Sequence, residues 1–394
     1  MFVAKKTFAV ILCKFSDQPQ EPHAPSFYQN CFTETGAGMG GAFDYWRDVS
    51  FGNLDLTGSK VFGWYAMPNH TTQDLVGLRR DSFVTWGIEA ARANGVKDAE
   101  LSTFFGFIVV FNVATDSGAS GGNQMVLGYQ GSDWDPSFNS HEMGHLFGLD
   151  HSFDTSPRPC ASGDGRPGAY CDKWDIMSAA NVWTFNNALG ANGPGLNAPY
   201  LDKLGCISSN RIWTPPNPNF GGTVTLAALN HPEAHGPLMI KIPRTSGPNP
   251  SFKSTYTIEF RRKTGWDAGI PNDTVLIHEV RSDGLSYLQT KATGLEFLPG
   301  SEFTDGGSLS LKVTKFDPNA STADILVQLS SVDKRPGSCE DQLQTIGALE
   351  DHIADLVVVF EETGNNPKIG QMIQRLEGVL ARLKKVATSS GCLR

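Results

Sequence analysis

His141-Glu142-Met143-Gly144-His145-Leu146-Phe147-Gly148-Leu149-Asp150-His151 is the stretch from which this chain is best read. On a helix, residues four apart share a face, so His141 and His145 can grip one metal ion. Glu142 sits beside the first of them, placed to act on a water at that metal. Gly148 can take the positive φ that ends a helix and turns the chain sharply, which brings His151 back as a third ligand. Three protein ligands leave a fourth position open, the arrangement of a catalytic rather than a structural zinc site. Composition alone produces the full pattern in about 2 of 100,000 such chains, so two surface histidines and an unrelated third are a poor explanation. Upstream, Asp135-Pro136-Ser137 supplies a helix start, with Asp or Ser to cap and Pro for the first turn.

Downstream lies Trp174-Asp175-Ile176-Met177-Ser178. Together with the long motif it resembles the Met-turn of the metzincin zinc peptidases. In those enzymes a methionine underlies the metal without ligating it, and Met177 is the candidate here. The resemblance implies a Zn2+-dependent endopeptidase acting on protein or peptide substrates. Glu142 would be the general base that takes a proton from the attacking water and returns it to the leaving amine. Some metzincins carry a tyrosine two residues past that methionine; this chain has Ala179 there, and the sequence offers no substitute.

Two further segments are similar to the immune inhibitor A-type family of secreted bacterial metallopeptidases. One is Tyr45-Trp46-Arg47-Asp48-Val49-Ser50-Phe51-Gly52-Asn53-Leu54, running on to Gly63-Trp64-Tyr65. The other is Gly265-Trp266-Asp267-Ala268-Gly269-Ile270-Pro271. The similarity spans roughly residues 7–330. That family commonly has Asp where this chain has His151, which leaves Asp150 as an alternative third ligand. It also implies structural Ca2+, with Asp150, Asp154 and Asp164 as contributors, against their ordinary use in turns and caps. Metzincins place an edge strand for extended substrate ahead of the zinc helix, and Gln124, Val126 and Gly128 occupy that place, with a plain loop or sheet edge as the alternative. Trp183, after the Met-turn, is a candidate for the specificity pocket or for the core.

The rest of the chain sets the context. The α+β multidomain expectation is an α/β catalytic domain over 1–212, an antiparallel β-sandwich over 213–335 and an antiparallel helical hairpin over 336–394. Phe8–Phe15 and Phe107–Val113 read as strands and Asp81–Asn94 as a helix. Trp213–Phe220, dense in Pro and Asn, marks a boundary. Beyond it Thr223–Leu229, Leu238–Ile242, Thr255–Phe260, Thr274–Val280, Leu309–Lys315 and Ile325–Leu329 read as strands between turns. Leu343, Ile346, Leu349, Ile353, Leu356 and Phe360 form one helical stripe, Ile369 to Leu383 a second, and Asn366-Pro367 starts the latter.

A net charge of -9 argues against nucleic acid as a partner. No apolar run reaches the ~20 residues of a membrane-spanning helix. The short run Thr7–Cys13 is followed by Lys14-Phe15-Ser16-Asp17, which suits a buried strand better than an export leader. Seven cysteines leave at least one unpaired within the chain. Cys160 with Cys171 and Cys339 with Cys392 are the pairs whose positions suggest bridges. Bridges, like the family resemblance, point to an extracellular or secreted protein.

Overall fold

A computed structural model describes residues 4–129, 135–244, 254–289, 296–305, 307–330, 339–362, 366–389 and 392–393. The chain is mixed α/β. Phe8–Phe15 is apolar except at Lys14 because both of its faces are covered. It forms β2, inside a five-stranded sheet of order β4 (Lys60–Met67), β2, β5 (Gly106–Phe111), β7 (Gln124–Leu127), β6 (Gly118–Ala119). The first four strands are parallel and β6 alone runs antiparallel, outside β7. Phe8, Val10 and Leu12 face a core shared with α1 (Pro25–Phe32), α2 (Ala42–Val49) and α5 (Pro136–Leu146). Ala9, Ile11, Cys13 and Phe15 face the other way, onto α3 (Arg80–Ala93). A strand buried on both sides reads as a continuous apolar run rather than an alternating one. The helix α4 (Asp98–Leu101) and the two-residue pair β1 (Ala4–Lys5) and β3 (Leu54–Asp55) complete this layer.

Past α5 the chain makes β8 (Phe153–Asp154), the small hairpin β9 (Phe185–Asn187) and β10 (Gly190–Asn192), α6 (Ala198–Lys203) and β11 (Ile212–Trp213). Two sheets then pack face to face. One has the order β11, β13 (Met239–Arg244), β14 (Ser254–Arg261), β15 (Thr274–Val280), β16 (Ser286–Leu288), β8. The other has the order β12 (Gly221–Ala227), β19 (Thr322–Leu329), β18 (Leu309–Asp317), β17 (Glu302–Thr304). Alternate residues meet between them: Leu226, Ile240, Ile258, Phe260, Ile277, Leu311, Val313, Ile325 and Val327.

The expected antiparallel sandwich needs correction at both edges of the larger sheet, where β11 is parallel to β13 and β8 is parallel to β16. Both are two-residue strands, too short to show a pattern in sequence, and β8 belongs to the segment just after the histidine motif. The region around the motif and the sandwich therefore share one sheet.

The tail forms α7 (Cys339–Glu362) and α8 (Pro367–Ser389). Glu350, midway along α7, pairs with Lys384 in the last turns of α8 at 2.6 Å, and Phe360 lies beside Gly370 near the turn, so the helices are antiparallel. Asn366 accepts the Lys368 N–H at 3.1 Å at the start of α8. Cys160 and Cys171 are disulfide-bonded. Cys392 is also disulfide-bonded; the side chain of Cys339, its expected partner, lies outside the described residues. Among the described residues no helix is long and apolar enough to cross a membrane.

Candidate metal centre

Helix α5 starts at Pro136 with Asp135 at its N-cap, but the Asp135 carboxylate accepts the Ala191 N–H at 3.1 Å instead of capping the helix. The helix ends at Leu146 and Gly148 follows at φ +86°. The Leu149 N–H reaches the Gly144 carbonyl at 3.0 Å and the Gly148 N–H the His145 carbonyl at 3.0 Å. This paired closure is the Schellman motif, which needs a residue of left-handed φ at Gly148. It has a direct consequence for the site, because it delivers the Leu149 carbonyl to His145.

Each motif histidine is oriented through Nδ1. His145 Nδ1 lies 2.9 Å from the Leu149 carbonyl, His141 Nδ1 2.9 Å from the Ile176 carbonyl, and His151 Nδ1 2.7 Å from Asp164 Oδ2. A carbonyl or carboxylate oxygen can only accept, so each Nδ1 carries the proton and each Nε2 carries a lone pair. The Ala179 N–H also lies 3.2 Å from His141 Nδ1, but the shorter contact with an obligate acceptor fixes the tautomer.

The ligating atoms of His141, His145 and His151 all fall within 4.8 Å of one another. His141 and His145 Nε2 are 3.1 Å apart, close to the ~3.3 Å spanned by two zinc–nitrogen bonds of ~2.0–2.1 Å in a tetrahedron. Burial, helped by the neighbouring His145 and His151, holds His141 well below the usual imidazole range. Burial also lowers His151, against the opposing pull of Asp164. Both effects keep the rings neutral, the form that binds a metal. The residues present therefore fit a metal ion.

Asp164 was not foreseen in this role. It sits on the loop closed by Cys160–Cys171 and is held between His151 and Arg166, whose Nη2 is 2.5 Å from it. The Arg166 hydrogen bond, ahead of that from His151, keeps its carboxyl well below the ordinary range. Arg166 also holds Asp150 at 2.8 Å. Asp150 converges with His151 and Asp164 but not with His141 and His145, so the His151 imidazole, not Asp150, completes the three-histidine cluster. Asp154 turns to Ser156 instead, at 2.7 Å to its N–H and 2.9 Å to its hydroxyl. The three aspartates named for calcium thus do not converge among the described residues, and a guanidinium holds two of them.

Tyr170 was also missed. Its hydroxyl donates to His151 Nε2 at 2.9 Å, and burial pushes the phenol up to about 12. Its backbone is held at φ +61°, next to the disulfide and with its carbonyl bonded to Asn181 at 2.7 Å. A bulky residue in the left-handed region costs about 1–3 kcal/mol and persists only where its surroundings hold it. Met177 is fully buried under α5: a β-carbon on Gly144 would meet its sulfur at 2.4 Å. Asp175 caps the turn through the Met177 N–H at 2.7 Å.

Glu142 is buried, and its Oε2 accepts the Ala119 N–H at 2.7 Å. Ala119 is on β6, the edge strand. The expectation for Gln124, Val126 and Gly128 is corrected here: β7 lies inside, with β5 on one side and β6 on the other. Val126 is wholly buried toward α3, and the Gly128 N–H is bonded to Ser117 at 2.8 Å. Trp183 packs on Trp174, Ile270, Leu276 and Leu288, which places it in a core shared with the sandwich.

Beneath the Met-turn lies a buried charge network contributed from both regions. Arg261 bonds Asp267 at 2.6 and 2.8 Å, Glu259 at 3.0 Å, and the carbonyls of Leu196 and Trp174 at 3.0 and 3.3 Å. His278 Nε2 lies 3.0 Å from Asp172. Burial opposes the charge on His278, but Asp172, Glu259 and Asp175 together raise its pKa. Burial, then Asp172, raises the Asp175 carboxyl to about 7. Tyr200, from α6, donates to the His151 carbonyl at 2.5 Å.

Neither family models nor curated proteins give a match to this chain.

Proposed function

We propose that this protein is a zinc-dependent endopeptidase of the metzincin type. The observation that carries the proposal is the convergence of three imidazoles, each with its Nδ1 bonded to an oxygen, beside the buried Glu142. A zinc ion bound there would polarise a carbonyl and lower the pKa of a coordinated water to about 7. Glu142 holds the proton taken from the attacking water and passes it to the leaving amine. The Ala119 N–H orients that carboxylate, and the Leu149, Ile176 and Asp164 oxygens fix the three rings.

The sheet order supports the metzincin reading. One antiparallel edge strand, β6, borders the helix that carries the histidines, and its outward Ala119 N–H is used to hold Glu142. Met177 beneath Gly144 fits the Met-turn expectation. The disulfide between Cys160 and Cys171 suits an extracellular location. The test is cleavage of unfolded casein by the wild-type protein and by Glu142→Gln, with zinc assayed in both. Wild-type cleavage, lost in a variant that keeps about one zinc per chain, is the expected result. Intact zinc with no cleavage by either would remove general proteolysis and favour a narrow processing enzyme or a binding protein.

A further inference from the structure

Ala119 is the point where the catalytic carboxylate meets the sheet edge. In an antiparallel strand the N–H and C=O of one residue point the same way. Both groups of Ala119 point away from β7: the N–H goes to Glu142 Oε2 at 2.7 Å, and the carbonyl accepts Arg80 Nη1 at 3.0 Å. A β-carbon on Gly118, which sits at φ +138°, would meet the Arg80 guanidinium at 2.5 Å. Glycine at that position is what lets the guanidinium lie flat along the strand.

Beside this contact is a cavity of about 350 Å³, lined by Leu78, Arg79, Arg80, Asp81, Asp116, Ala119 and Ser120. It therefore adjoins the residue that holds Glu142. Arg80 enters it with donors to spare. Nη1 serves Ala119 at 3.0 Å and Nη2 serves Asp116 at 2.8 Å, and each of these terminal nitrogens carries a second N–H. The carboxylates nearby are poor competitors. Asp116 is 62% exposed in its ion pair, and a pair so open to water contributes little. Asp81 accepts the Ser82 N–H at 3.0 Å and lies 3.9 Å from Arg79. Arg79 is 88% exposed at the rim. A planar guanidinium with unused donors is best matched by a carboxylate, which can accept two parallel hydrogen bonds.

We propose that Arg80 is a specificity-determining residue and that this cavity is a subsite for a carboxylate of the substrate, either an acidic side chain or the chain terminus. The proposal rests on the peptidase reading and names the substrate class for it. Arg80 binds and selects; it takes no part in proton transfer. Because it also props Ala119, loss of activity alone says nothing about selection, and the ratio between matched peptides is the informative quantity.

The experiment uses the zinc-loaded full chain and quenched fluorescent decapeptides in which each position in turn is Glu, Gln or Lys, with free and amidated C-termini. The wild type should prefer Glu over Gln at one position, or the free over the amidated terminus, by about tenfold in kcat/KM. The position or the terminus identifies the source of the carboxylate. In Arg80→Gln that ratio should fall to about one, whatever the absolute rate, and Arg80→Lys should keep part of it. If Arg80→Gln slows Glu and Gln peptides equally and the ratio survives, Arg80 is only a prop for β6 and the proposal fails. It fails equally if the wild type shows no carboxylate preference. Should the wild type cleave nothing, the peptidase reading fails separately, and fluorescence polarisation of the same peptides decides the subsite. Carboxylate-dependent binding that disappears in Arg80→Gln sustains it, and equal binding of all peptides, or no binding, overturns it.

Discussion

Replacing Arg261 by Met should cost both fold stability and metal affinity. The side chain is 1% exposed and keeps Asp267, Glu259 and two backbone carbonyls satisfied. Methionine fills much of the volume but supplies no donor. Asp267 would then retain the Gly195 N–H at 3.0 Å, and Glu259 the Ala198 N–H at 2.5 Å and the His278 imidazole at 4.0 Å, with the guanidinium that joined them gone. Removing one member of a buried ion pair costs about 3–5 kcal/mol, chiefly by stranding its partner. Set against the ~5–15 kcal/mol of a typical domain, that is a large fraction. The same guanidinium ties down the Trp174 carbonyl, three residues before Met177, so zinc affinity should fall about tenfold as well.

Urea unfolding of the zinc-free protein measures the first effect, and competition with a chelator of known affinity measures the second. The triple variant Arg261→Met, Glu259→Gln, Asp267→Asn removes the stranded charges and should recover most of the lost stability. An Arg261→Met protein within 1 kcal/mol of wild type, or a triple variant no better than the single one, would refute this account.

Asp164→Ala takes the acceptor from His151 Nδ1 and should weaken zinc binding about 10–100-fold in chelator competition, with little change in casein KM. Gly144→Ala puts a β-carbon 2.4 Å from the Met177 sulfur; the overpacking should cost about 1–3 kcal/mol in urea, and adding Met177→Ala should relieve part of it. The buried network sets a pH dependence. Asp175, raised to about 7, and His278, raised above 6.5, both bind protons more tightly in the folded chain. Their stabilising contribution is therefore complete in acid and is lost as pH rises, through about 7 for Asp175 and above 6.5 for His278. His141 and His151, whose imidazoles are held low, pull the other way, so the readout is a difference: the stability that wild type gains over His278→Gln should shrink between about pH 6 and pH 8. An unchanged slope in His278→Gln would remove His278 from the explanation.

What the sequence revealed and what it hid divide along physical lines. The candidate ligand set was legible because one helix and one glycine bring it together: the period of 3.6 residues aligns His141 with His145, and Gly148 reverses the chain. The groups that orient those ligands have no such period. Asp164 and Arg166 lie on an irregular loop, and the only local signal was the cysteine bracket around them. The edge strand was misplaced because β6 has two residues, Gly118 and Ala119, inside a stretch that reads as loop, while the neighbouring Gln124–Leu127 looks like a strand. The sandwich strands were found from their inward residues, such as Ile258, Phe260 and Ile277. Their alternates Glu259, Arg261 and His278 carry charge, and alternation of that kind normally marks a solvent face.

Here it does not, because Asp172, Trp174, Asp175, Leu196 and Ala198 cover that face from the other side. Charged residues on the outer face of a strand cost several kcal/mol to bury unless partners meet them. Their complete burial therefore means that the sandwich and the Met-turn loop are built to fit each other. It follows that the sandwich is a support of the Met177 loop rather than a detachable module. A fragment ending before β12 would leave Asp172 and Asp175 without the His278 and Arg261 charges that now sit beside them.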